Sequence, residues 1–298
     1  MKPYIKLLRP KDWAKNLFLF IPPLFAGHFF VPEKMELLFA GFAAFCCFAS
    51  SIYIINDYRD IENDRKHPVK SKRPLASGSV KLLHAIIICI LLLVLGCGLS
   101  YLASPSLLLL VILGAYFLMN LAYSFGLKNI ATLDMLILAA GFVLRVKAGA
   151  IIVKVDTTDW LIIMTFLLAL FMAIGKRRDD LLLQEESGTE MRKSMSGYNL
   201  DYLNTMLGLF AAIIIVAYIS YTVSPRTIVR LGTYRLYYSS LFVIAGIMRY
   251  LQVVFVIKKS GSPTDILYKD RFIQITLILW VLSIFILLYL PKTPIFNR

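Results

Sequence analysis

Charge is scarce in this chain, and negative charge is the scarcer sign. Only 17% of the 298 residues are charged, and 18 acids face 32 lysines and arginines. Apolar residues make up 59%, and mean hydropathy is +0.73. A soluble globular domain is about 45–50% apolar, so that class is excluded. Cysteine is also rare, with four residues: Cys46, Cys47, Cys89 and Cys97. All four lie in apolar stretches without metal-ligand spacing or a disulfide framework, and they are expected to be buried packing residues. No cleaved signal peptide is recognisable. Met1 to Lys15 is basic, but no small-residue cleavage site follows a short apolar core.

What the chain has in abundance is long apolar runs. Crossing a bilayer as a helix takes about 20 such residues. Hydropathy places nine spans near 15–31, 35–55, 80–103, 106–124, 131–152, 159–175, 202–223, 237–257 and 272–290. The expected class is all-α: a polytopic membrane protein with a single domain over 1–298. The first span is the weakest, because Pro22-Pro23 interrupts it and either kinks it or leaves it partly in the interface.

The net charge of +14 would suggest nucleic acid in a soluble protein. Here it follows the loops. The N-terminal segment and the loops after the even-numbered spans hold about 22 of the 32 cations, and the opposite side holds about seven. The N-terminus is therefore expected in the cytoplasm, the chain in the cell (inner, cytoplasmic) membrane, and nucleic acid is not an expected partner. Arg145, Lys147 and Arg249 fall inside predicted spans, where a charge is costly and normally faces a cavity or a partner. Arg145 and Lys147 either line a polar cavity or snorkel to the surface. Asp134 raises the same question.

The most informative segment follows the second span: Asn56-Asp57-Tyr58-Arg59-Asp60-Ile61-Glu62-Asn63-Asp64-Arg65. On a helix, Asp57, Asp60 and Asp64 at i, i+3 and i+7 share one face. Three close carboxylates need something positive between them. A hard cation such as Mg²⁺, bridging to phosphate, suits that role. His67, Lys70, Lys72 and Arg73 follow, and are cationic groups fit to hold phosphate oxygens. The alternative is a solvated charged loop.

Other stretches add to this. Loop 176–200 opens with Gly175-Lys176-Arg177-Arg178-Asp179-Asp180, and Asp179 or Asp180 with Glu186 would form a second acidic cluster. The alternative is a positive-inside anchor with balancing acids. Tyr123 and Lys128 close the fourth span on the same side. Trp13, Lys15 and Asn16 stand at the membrane entry, as an interfacial anchor or as part of a headgroup site.

At these residues the chain resembles the UbiA-type intramembrane prenyltransferase superfamily. The match is Asn56-Asp-x-x-Asp60-x-x-x-Asp64 with Arg73-Pro74-Leu75-Ala76-x-Gly78, and the pair Tyr123 and Lys128. That resemblance implies nine helices around a central cavity open to the bilayer, with phosphates held by Mg²⁺ and two acidic motifs. Within the superfamily the chain is most similar to the branch of decaprenyl-phosphate phosphoribosyltransferases and their bacterial relatives. The similarity covers most of its length. It includes Leu8-Arg-Pro-Lys-Asp-Trp-Ala-Lys-Asn16, His67-Pro68-x-Lys70, Leu133-Asp134, Gly141 to Arg145, Gly175 to Arg178, Ser262-Pro263 and Asp270-Arg271.

The chain departs from the superfamily at the second motif, where a cationic run replaces the usual Asp-x-x-x-Asp spacing. That suits a donor carrying a 5-phosphate besides its diphosphate. The implied reaction moves a 5-phosphoribosyl group from phosphoribosyl diphosphate to a polyprenyl phosphate. Asp57, Asp60 and Asp64 are the implied Mg²⁺ ligands and catalytic acids. The implied substrate-binding residues are Lys15, Asn16, Asn56, Arg65, His67, Lys70, Arg73, Tyr123, Lys128, Asp134, Arg145, Lys176 and Arg177. The nearest rival is an aromatic prenyltransferase using a polyprenyl diphosphate, and a transporter is a more distant one. Lipid length and oligomeric state, homo-oligomers included, are left open.

Overall fold

A computed structural model describes residues 2–66, 70–187, 193–257, 266 and 269–289. His67, Pro68, Arg192, Ser262 and Pro263 lie outside them, and the side chain of Glu186 is not described. The described residues form helices and connecting turns, with no strand. Seven helices are long and apolar enough to cross a membrane, and an eighth apolar helix, Arg271–Leu287, is shorter. The chain divides into two compact units, Met1–Thr158 and Asp159–Arg298.

In the first unit, α1 (Lys2–Leu8) leads into a 3₁₀ helix, Pro10–Phe20, and a short α2 (Ile21–Phe25). The single helix expected over 15–31 is therefore not formed. Pro10 follows α1, and Pro22-Pro23 contributes no N–H groups to continue a ladder. The 3₁₀ rise of about 2.0 Å per residue lets these 11 residues reach roughly 22 Å. Burial sustains so long a 3₁₀ run, with Asn16 and Leu19 fully enclosed. Gly149 makes this possible, because a Cβ there would stand 2.1 Å from the Leu19 carbonyl oxygen.

Four long helices complete this unit: α3 (Pro32–Arg59), α5 (Leu82–Ala103), α6 (Leu107–Phe125) and α7 (Leu133–Val153). A short α4 (Ile61–Lys66) lies between α3 and α5. Leu19, Leu38, Phe45, Phe48, Leu113 and Ile152 pack into the main core. Outward residues of α5 such as Leu83, Leu91 and Val94 are more than half exposed. That is the reverse of a soluble helix and suits a lipid-facing surface. Cys46 and Cys47 are buried as expected, Cys89 is half-buried, and Cys97 is exposed. Cys97 corrects the expectation for that residue, since it lies on the exposed apolar face of α5.

A smaller cluster of Leu7, Ile54, Leu75, Val80 and Ala85 ties α1, α3, the 73–80 turn and α5 together. Gly78, at φ +71°, supplies the left-handed position in that turn. This cluster fixes the loop after α3 against the membrane end of the helices.

The second unit holds α8 (Asp159–Ser187), α9 (Leu200–Val223), α10 (Pro225–Leu231), α11 (Ser240–Gln252), which with the 3₁₀ and π turns flanking it forms the seventh long helix, Arg235–Ile257, and α12 (Arg271–Tyr289). α8 runs eleven residues past the expected loop start at 176, because no helix breaker occurs before Gly188. The Phe171 and Tyr250 rings pack with centroids 5.0 Å apart, tilted by 57°. The Trp280 Nε1–H donates to the Tyr218 hydroxyl at 2.8 Å. Arg249, expected inside a span, donates to the Asp270 carboxylate at 2.9 Å, and this contact holds the Asp270 carboxyl below the usual carboxylate range.

Candidate functional site

The acidic segment does not continue as one helix. α3 ends at Arg59, and Asp60 caps it at φ −94°, ψ 8° before α4 begins. Three carboxylates on one uninterrupted face would repel. The break turns Asp60 away from the other two, toward a cation of its own. Asp57 and Asp64 are 1% and 3% exposed and share Arg73. Its Nη1 donates to Asp57 Oδ1 at 3.1 Å and to Asp64 Oδ2 at 2.6 Å. Asp60 turns to Lys128, whose Nζ donates to both its oxygens at 2.8 and 2.7 Å. Charge-assisted bonds of this kind are the strong ones.

The third cation is Arg9, whose guanidinium donates to Asp57 Oδ1 and lies 4.9 Å over the Tyr53 ring. Three carboxylates are thus met by three cations. Asp57 Oδ2, buried, has no hydrogen-bond partner among the described residues. Among the described residues, no three His, Cys, Asp or Glu side chains gather as a ready metal cage. The donor set still fits a hard divalent cation. Mg²⁺ is commonly held by one or two carboxylates, with water and substrate phosphates completing its shell. An unpartnered buried carboxylate oxygen beside Asp64 meets that description.

The other expected site residues fall into three groups. Beside the acids, the Asn56 carbonyl accepts from the Asp60 N–H at 3.0 Å. Arg65 is engaged in the loop itself, with Glu62 at 2.9 Å and the Ala76 carbonyl at 3.3 Å. Lys70 opens a short 3₁₀ turn, and its carbonyl accepts from the Arg73 N–H at 2.9 Å. Tyr123 is half-buried at the end of α6, one turn before Lys128.

A second, deeper group surrounds Arg145, which is 5% exposed and does not snorkel. Its Nε donates to Asn16 Oδ1 at 2.8 Å, Nη1 to the Gly141 carbonyl at 2.9 Å and Nη2 to the Tyr116 hydroxyl at 2.7 Å. Asn16 in turn donates to Cys46 Sγ at 3.3 Å. Asp134 is fully buried in the first turn of α7. Lys15 is half-exposed and paired with Asp12 at 2.5 Å, and Lys147 is exposed.

The third group lies in the second unit. Arg177 is 1% exposed and donates to Asp180 at 2.6 Å, one helical turn away. Arg178 donates to Asn204 at 2.7 Å, Asp179 is buried, and Lys176 is exposed.

Sequence reasoning missed Arg9 and Tyr116 as site residues. Arg9 stood inside a motif already singled out, and its position before Pro10 was the available signal. Tyr116 carried none, since a tyrosine within an apolar span reads as packing.

The sequence profile of the UbiA prenyltransferase family matches residues 17–265. A protein of Corynebacterium glutamicum named decaprenyl-phosphate phosphoribosyltransferase is 32% identical over 96% of this chain and 86% of its own length. Its namesake in Mycolicibacterium smegmatis is 35% identical over 93% of this chain and 89% of its own length. Among solved structures, a UbiA homologue from Archaeoglobus fulgidus bound to GPP and Mg²⁺ superposes with a TM-score of 0.70, at 19% identity, over 96% of this chain and 99% of that one.

Proposed function

The chain belongs to the UbiA prenyltransferase family, and from that premise we propose that it transfers a 5-phosphoribosyl group from phosphoribosyl diphosphate to a polyprenyl phosphate. A lipid phosphate oxygen forms the new bond to ribose C1. The bond from C1 to the diphosphate oxygen breaks, and diphosphate leaves. The nucleophile is already anionic, so no strong general base is required.

In this reading Asp57, Asp60 and Asp64 hold Mg²⁺. The metal would supply neutralisation of the charge developing on the leaving diphosphate. Arg73 and Lys128 restrain the carboxylates and grip phosphate oxygens as substrate arrives, with Lys70 as a further phosphate ligand; Lys176 and Arg177, in the second unit, are candidate phosphate ligands on the motif resemblance alone. Arg145 with Asn16 and Tyr116 forms a polar floor below the acids, and Asp134, Lys15, Asn56, Arg65 and Tyr123 border the substrate.

We further read the whole chain as one UbiA-like domain of nine crossings. The broken 10–25 segment would be the first crossing, the N-terminus cytoplasmic and the acidic site on the cytoplasmic face of the cell membrane. That face is where a soluble phosphorylated donor meets a membrane lipid.

The observation that carries the proposal is the 32–35% identity, over 93–96% of the chain, to proteins named decaprenyl-phosphate phosphoribosyltransferase. The three carboxylates and three cations at the end of α3 supply a site for a metal and phosphate oxygens. The test is labelled phosphoribosyl diphosphate supplied to purified protein with a polyprenyl phosphate and Mg²⁺. Label should enter the lipid fraction, and EDTA, Asp57→Asn and Asp64→Asn should each abolish it. Transfer that persists in EDTA would overturn the metal assignment.

A further inference from the structure

We propose that Arg9 is a resident counter-ion of the acidic site. A divalent cation arriving with a phosphate-bearing ligand displaces it from Asp57, so that cation binding depends on that ligand. The inference rests on the reading of Asp57 as a metal ligand and names the residue that regulates it.

Four observations support it. First, Arg9 has φ 51° and ψ 59°, a left-handed conformation that few non-glycine residues adopt. Such outliers persist where their surroundings hold them, and they concentrate at functional sites. Here the Leu8 carbonyl accepts from Ser50 Oγ at 2.9 Å, and the Arg9 carbonyl accepts from the Asp12 N–H at 2.9 Å. The backbone on both sides is pinned so that the side chain reaches Asp57.

Second, the carboxylates of Asp57, Asp60 and Asp64 already meet Arg9, Arg73 and Lys128. A bare divalent cation would leave two surplus positive charges in a half-buried site. A cation complexed to diphosphate brings its own negative charge. Third, Asp57 Oδ2 has no hydrogen-bond partner among the described residues, although Asp57 is 1% exposed. The carboxylate is therefore occupied by guanidinium on one oxygen and unpartnered on the other. Fourth, the Arg9 side chain is 22% exposed, so its guanidinium can leave Asp57 for a ligand oxygen without crossing the core.

A group that must leave one partner for metal to bind, and finds another when phosphate binds, couples the two events. Thermodynamic linkage makes the coupling reciprocal. Arg73 bridges two carboxylates and also holds the loop, whereas among the described residues Arg9 contacts one of them, Asp57.

The experiment is a Mn²⁺ titration read by electron paramagnetic resonance, on the full chain in nanodiscs. It is run with and without inorganic pyrophosphate on wild type, Arg9→Gln and Arg9→Lys. Wild type should bind Mn²⁺ at least about tenfold more tightly with pyrophosphate, within the usual range of coupling between sites. Arg9→Gln should bind Mn²⁺ alone about tenfold more tightly than wild type, or about 1.4 kcal/mol, and should lose a similar factor of the pyrophosphate effect. Arg9→Lys, which keeps the charge, should stay near wild type. Unchanged or weaker Mn²⁺ binding by a folded Arg9→Gln would overturn the proposal. So would a wild type whose Mn²⁺ affinity ignores pyrophosphate, even if the glutamine variant failed to fold. No Mn²⁺ binding to wild type under either condition would instead overturn the metal site itself.

Discussion

Replacing Arg73 by glutamine removes the shared cation of two buried carboxylates, and the structure sets the size of the effect. Two charge-assisted bonds are lost, at 3.1 and 2.6 Å. Each is worth about 1.5–3 kcal/mol where one partner is charged. The Arg73 side chain is 24% exposed, so solvent screens part of this. A loss of about 3 kcal/mol is expected, a large share of the roughly 5–15 kcal/mol that a folded domain holds. Asp57 keeps Arg9, so the unrelieved charge falls mainly on Asp64.

The sharper expectation concerns the pair. In wild type, Asp64→Asn weakens the bond to Arg73 and should cost about 1 kcal/mol. In the Arg73→Gln background the same change removes an uncompensated buried charge, and it should restore about 1–2 kcal/mol. Equilibrium unfolding in mixed micelles across the four proteins measures the coupling. Additive effects, with Asp64→Asn costing the same in both backgrounds, would refute the claim that Arg73 bridges these acids.

Three further outcomes follow from the geometry. Gly149→Ala sets a Cβ against the Leu19 backbone; unfolding measurements should show a loss of more than about 2 kcal/mol, as for an overpacked core. Lys128→Met strips both bonds from Asp60 and should weaken Mn²⁺ binding in the presence of pyrophosphate by roughly 10–100-fold, the usual effect of removing a group that orients a metal ligand. Arg145→Leu leaves Asn16, Tyr116 and the Gly141 carbonyl without their donor and should destabilise by about 2–4 kcal/mol, more than Arg145→Gln, which keeps part of the network.

The membrane class, most crossings and the acidic motif were legible because each is a local property of composition or spacing. Asp57, Asp60, Asp64, Arg73 and Lys128 were recognisable as charge-bearing residues in the right loops. Their partners were not. Beyond the helix break, Asp60 meets Lys128, 68 residues away, and nothing in the segment itself announces that partner. Arg145 and Asn16 meet across 129 residues, so the sequence posed Arg145 as a choice between cavity and interface that only packing decides. The 3₁₀ segment followed from Pro10 and Pro22-Pro23 only in part, because its length relies on Gly149 from a helix formed far along the chain. α8 outran its expected end because charged residues at i and i+3, such as Arg177 and Asp180, stabilise a helix as readily as they solvate a loop.

The central claim is that the group transferred is phosphoribosyl and the acceptor is a lipid phosphate. The most direct measurement offers purified protein both donors at once, phosphoribosyl diphosphate and a polyprenyl diphosphate. A polyprenyl phosphate and an aromatic acid serve as acceptors, and mass spectrometry identifies every lipid product. The account predicts a polyprenyl phosphate heavier by one phosphoribosyl group, with diphosphate released in equal amount and no prenylated aromatic. A prenylated aromatic acid with the polyprenyl phosphate unchanged would contradict it.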